Sequence, residues 1–93
     1  MVNRLTPTEV VIALIGSAER VGEVAERDRT SLYKWRHSSR HRAPGDLPGA
    51  EVMRRLLDYA RAHDIPLTAE HLIYGAAEAE IAALAAPAQD AAA

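Results

Sequence analysis

The sequence predicts a small all-α domain of four to five helices. Three observations predict it. Apolar residues recur at three- and four-residue spacing in several stretches, and none alternates apolar with polar as a half-buried strand does. Most periodic stretches open on a capping residue or a proline, and three of them close on a glycine or a proline break. The chain has 93 residues and no cysteine, so one core must form without disulfides or thiolate metal sites. No credible strand is expected.

Taken in order, Met1 to Leu5 reads as a ragged end. Thr6-Pro7-Thr8-Glu9 is a strong helix start: Thr6 caps, Pro7 takes the first helical position and Glu9 completes a capping box. The helix runs to about Ile15, and Gly16 stops it. Val10, Val11, Ile12, Leu14 and Ile15 are apolar nearly all round, so this helix must be covered. The helices near 18–26 and 48–63 are the expected cover.

Ser17 to Trp35 gives two short helices joined by a tight turn. The first spans about Ala18 to Glu26, with Ser17 as N-cap and Val21, Val24 and Ala25 on one face. The second starts after Asp28, whose carboxylate suits a helix N-terminus, and turns Leu32 and Trp35 inward. Arg29, Thr30, Tyr33 and Lys34 then point outward. This arrangement is a helix-turn-helix, a shape that can place its second helix in the major groove of DNA.

Beyond Trp35 the periodicity dissolves into a Ser/Pro/Gly-rich loop to Gly49. A helix follows from about Pro48 to His63, with Val52, Met53, Leu56, Leu57 and Ala60 as its core stripe. Asp64-Ile65-Pro66-Leu67 breaks it, and Thr68 caps a short helix from Ala69 to about Tyr74. Residues 6–75 are therefore the main domain. Residues 76–86 form an alanine-rich helix, and 87–93 read as a disordered tail.

Charge is unevenly placed. The net charge is −2, yet residues 27–42 hold Arg27, Arg29, Lys34, Arg36, Arg40 and Arg42 against Asp28 alone. That block carries +5, with His37 and His41 adding partial charge, while the residues after it carry −5. A basic block beginning at an outward helix face reads as a footprint for phosphates. Arg29 can pair with guanine, and Thr30 can touch a thymine methyl or a phosphate. Tyr33 and Lys34 suit phosphate or base contact, Arg27 can reach a phosphate, and Arg36, Arg40 and Arg42 suit phosphate clamps.

At these residues the chain resembles the phage Cro and lambda-repressor-like regulators, over about residues 8–75. More narrowly, it resembles small prophage-type regulators in which a tryptophan, here Trp35, closes the recognition helix. A basic Gly/Pro loop and an ending that here reads Asp64-Ile65-Pro66-Leu67-Thr68-Ala69-Glu70-His71-Leu72 then follow. The resemblance implies that Val21, Gly22 and Ala25 are helix-contact positions and that Leu32 and Trp35 are buried. It implies base and phosphate contact at Asp28, Arg29, Thr30, Tyr33, Lys34 and His37. Two positions depart from the family pattern: Glu26 stands where the turn usually has glycine, and Arg27 where it has an apolar plug. The turn residue tends to take positive φ, which costs a non-glycine residue roughly 1 kcal/mol.

The expected function is that of a sequence-specific double-stranded DNA-binding transcriptional regulator, a repressor of phage or prophage type. The alternative is a protein-interaction module of antirepressor or antitoxin-like kind on the same scaffold. An enzyme is not expected: there is no cysteine nucleophile, Gly-rich phosphate loop or Ser/His/Asp constellation. No cofactor, metal or small-molecule substrate is expected, since His37 and His41 have zinc-pair spacing but no third ligand. His63 and His71 sit at helix ends and carry no functional reading.

The core is thin, with no Phe and one Trp, so a homodimer is expected. Ile73, Ala77, Ile81 and Leu84 form a narrow apolar seam that can dock on the domain or pair with a second subunit, and it is offered as the dimer interface. Without a membrane-length apolar run or a signal-peptide core, a cytoplasmic, nucleoid-associated protein is expected.

Overall fold

The computed structural model describes residues 3–27, 34–35 and 43–92. Five helices are present among them: α1 Pro7–Ile15, α2 Ala18–Ala25, α3 Ala50–Ala62, α4 Ala69–Tyr74 and α5 Glu78–Ala92. Two short strands, β1 Arg4–Leu5 and β2 Ala76–Ala77, pair antiparallel.

The helix starts follow local side-chain chemistry. Thr6 and Glu9 form the capping box of α1, with Pro7 in its first turn, and Gly16 ends the helix. The Ser17 hydroxyl accepts from the Arg20 N–H at the start of α2. Thr68 caps α4, accepting from the His71 N–H at 3.2 Å. In return the His71 Nδ1 accepts from the Thr68 N–H at 3.1 Å. With Nδ1 accepting, the ring proton sits on Nε2, facing Glu80 Oε2 at 3.2 Å. His71 is thus a buried cap, whereas His63 is exposed and lies against Tyr59, ring centroids 4.2 Å apart.

The core draws on every layer: Val10 and Val11 from α1, Val21 and Ala25 from α2, Val52, Leu56 and Ala60 from α3, Leu72 from α4 and Ile81 from α5. Helical Trp35 joins it, as do Leu47 and Leu67 from the connections. Met53 and Leu57, the remaining members of the α3 stripe, pack at its edge.

Two expectations need correction. The fold is mostly helical rather than purely α, because β1 and β2 form a two-stranded sheet. Arg4 stands opposite Ala77 and Leu5 opposite Ala76, so the expected ragged N-terminal end is tied into the fold from Asn3, whose carbonyl accepts from the Glu78 N–H at 2.8 Å. A two-residue ladder is made by backbone groups and leaves no alternation to read. Second, α1 packs mainly on α2, α4 and α5 rather than on α3, since the ladder brings the start of α5 beside α1. The last helix, α5, begins after β2 and its backbone is helical to Ala92. Alanine, the strongest helix former, dominates it.

The apolar seam divides between the core and the surface. Ile81 is only 2 % exposed within the single chain, whereas Ile73 is 56 % exposed. Ala77 lies half-buried in β2, and Leu84 packs partly against the core. These residues do not share one outward face. Helical spacing identifies an apolar side but not whether the same chain covers it.

Candidate nucleic-acid interface

The last turn of α2 gives way to Glu26 in the left-handed region, φ 57° and ψ 43°. This is the positive φ expected of the turn residue. Helical carbonyls are recaptured there: the Arg27 N–H donates to the Gly22 carbonyl at 2.9 Å, and the Glu26 N–H to Glu23 at 3.2 Å. Arg27 then leaves the core entirely. Its side chain is exposed, and its guanidinium donates to the Glu26 carbonyl at 3.3 Å. Arg27, where the resemblance implies an apolar plug, points outward instead.

A second ion-pairing group meets this turn from α3. Arg55 Nη1 pairs with Glu26 Oε2 at 2.5 Å and donates to the Ala25 carbonyl at 3.3 Å. Its other terminal nitrogen meets Glu51 Oε1 at 2.7 Å. In the sequence Arg55 simply falls outside the Val52/Leu56/Ala60 stripe of its helix. The four-residue Glu51–Arg55 spacing is a legible signal; the long-range link to Glu26 has none.

The chain is described again at Lys34 and Trp35, both helical. Lys34 is exposed while Trp35 is 3 % exposed in the core, matching the expected outward and inward assignments. The Trp35 carbonyl accepts from the Gly45 N–H at 2.8 Å. Gly45 in turn receives two bonds from α1, the Thr8 N–H at 2.9 Å and the Thr8 hydroxyl at 2.8 Å. Gly45 has φ +87°, and a Cβ there would lie 2.3 Å from the Thr6 Cβ, so the site requires glycine. Trp35 is thereby fixed by its ring and by its backbone.

Thr8 was not singled out in the sequence, because a threonine beside a capping residue reads as solvated. It is fully buried. Thr8→Val keeps the side-chain shape and removes one donor to the Gly45 carbonyl. A loss of about 1–2 kcal/mol in urea unfolding is expected, whereas an unchanged midpoint would remove the hydroxyl from this account.

Of the residues expected to contact DNA, Arg27 and Lys34 are described and both present their side chains to solvent. Asp28, Arg29, Thr30, Tyr33, Arg36, His37, Arg40 and Arg42 lie outside the described residues, as does Leu32. Among the described residues no three His, Asp or Glu side chains group as a metal site, and no helix is long and apolar enough to cross a membrane. The chain matches no protein-family model, and neither the curated proteins nor the solved structures contain a significant match to it.

Proposed function

We infer that this protein is a sequence-specific double-stranded DNA-binding regulator that represses by occupying an operator. The observation that carries the reading is the concentration of +5 in residues 27–42, at a chain segment entered through the Glu26 turn and left through buried Trp35. In this reading residues 29–35 are the helix that enters the major groove. Arg29 and Thr30 meet base edges, and Arg27, Tyr33, Lys34 and His37 join the loop arginines Arg36, Arg40 and Arg42 on phosphates. The proposal assigns no chemical step to the chain.

One recognition helix reads few base pairs. Two copies on half-sites about 34 Å apart, one DNA turn, give the specificity an operator requires. The acidic half of the chain faces away from DNA in that arrangement.

Fluorescence anisotropy across a salt series tests the reading, with DNA upstream of the protein's own gene against a scrambled duplex. Selective binding is expected, with a log–log salt slope near −0.9 for each phosphate contacted. Lys34→Ala makes the slope shallower by about one phosphate, and Arg29→Ala erodes selectivity by about 1–3 kcal/mol. Equal, salt-insensitive binding to both duplexes would defeat it.

A second reading has one observation in its favour. Ile73 and Tyr74, adjacent at the end of α4, are 56 % and 68 % exposed, as suits a protein-interaction module. An apolar interface of that kind responds weakly to salt, so the same titration, run on a captured partner, separates the two.

A further inference from the structure

We propose that Arg55 is a positioning residue for the helix that reads DNA. It acts through the α2 turn, and the proposal rests on the DNA-binding reading above. Three acceptors converge on this one guanidinium: the Glu26 carboxylate, the Ala25 carbonyl and the Glu51 carboxylate. Two of them belong to the final turn of α2 and the third to the helix that bears Arg55. The group therefore couples the point at which the chain leaves α2 to the rigid body of α3.

The magnitudes favour geometry over stability as its role. The side chains of Arg55 and Glu26 are 34 % and 70 % exposed, so their pairing adds little to folding. What the contact does is hold a non-glycine residue at φ 57°, a conformation that glutamate rarely adopts unaided. A planar guanidinium can hold the carbonyl and both carboxylates together, which an ammonium on a flexible stem does poorly. At the other end, Trp35 is held by the core and by Gly45. Arg55 thus fixes the described chain up to Arg27, and Gly45 and the core fix it again at Trp35.

The sole tryptophan supplies a readout independent of DNA. In Arg55→Ala, far-UV circular dichroism should retain the wild-type helix signal and a cooperative melt. Acrylamide quenching of Trp35 should rise about twofold or more, because its helix is then held at one end. Operator selectivity over scrambled DNA should fall about tenfold, while scrambled-DNA affinity stays within about twofold. Adding Glu26→Gly should recover much of both, since glycine takes positive φ without a partner.

Glu26→Gln, which removes the charge from an exposed residue, tests the same contact should Arg55→Ala fold poorly. Unchanged quenching in both Arg55→Ala and Glu26→Gln would overturn the positioning role. Increased quenching with no selective DNA binding by the wild type would instead uphold the positioning of Trp35 and defeat the DNA reading.

Discussion

Gly75→Ala is expected to remove most of the stability of the fold. Gly75 follows α4 at φ 72° and ψ −154°, a region populated almost only by glycine. A Cβ added there would lie 2.0 Å from the Leu5 carbonyl oxygen. That oxygen belongs to a strand backbone, so no side-chain rotation relieves the clash. Backbone strain contributes roughly 1–3 kcal/mol, and separating β1 from β2 adds the loss of their hydrogen bonds. With no Phe and one Trp the core is thin, and a total of about 4 kcal/mol is most of what a domain at the low end of the usual range possesses. Circular dichroism in urea should show the midpoint falling by more than half, or no folded baseline. Gly49→Ser is the control: nothing lies within 4 Å of a Cβ there, and the N-cap position of α3 lacks a side-chain hydrogen bond. Serine caps well, so this variant should melt at or slightly above the wild-type midpoint. An alanine variant of Gly75 as stable as the parent would show that β1 does not pack where it is described.

The second large effect is Ile81→Asp. Were the side chain on a surface between copies, the substitution would give a folded monomer. Ile81 instead lies in the core, and a carboxylate placed there has no partner among the surrounding apolar groups. Loss of the cooperative melt is expected, with Ile81→Ala costing about 2–5 kcal/mol as the milder measure of the same site. Leu84→Asp, at the edge of the core, should cost less. Sedimentation alongside the melt decides the matter: a folded species of reduced mass with an unchanged melt would return Ile81 to an interface.

These substitutions show which parts of the fold were legible. Thr6, Pro7 and Glu9 act on their own backbone within one turn, so the start of α1 is written in adjacent residues. The same holds for Thr68, and for the Val52/Leu56/Ala60 stripe, whose spacing fixes one inward face. Positive φ at Glu26 was also legible, from the position it occupies in the turn. The β1–β2 ladder was not, because Arg4, Leu5 and two alanines carry no strand pattern, and the pairing depends on the path of the backbone through Gly75. Thr8 was missed because its burial comes from Gly45 far along the chain. Arg55 was missed for the same reason: two of its three partners lie at the end of another helix. For the candidate interface, the structure describes the exposed Arg27 and Lys34 and the buried Trp35 that frame the expected contact residues.

The ladder between residues 4–5 and 76–77 also sets an order of events during synthesis. A chain made N-terminus first, at about 5–20 residues per second, produces α1 early. That helix is almost wholly apolar, and two of the helices it packs on, α4 and α5, are made only after it, from Ala69 onward. For several seconds α1 must remain uncovered or occupied by other apolar surfaces, a state that chaperones recognise and that aggregates when crowded. The strand that closes the fold is the earliest described piece of the chain, waiting for nearly its latest.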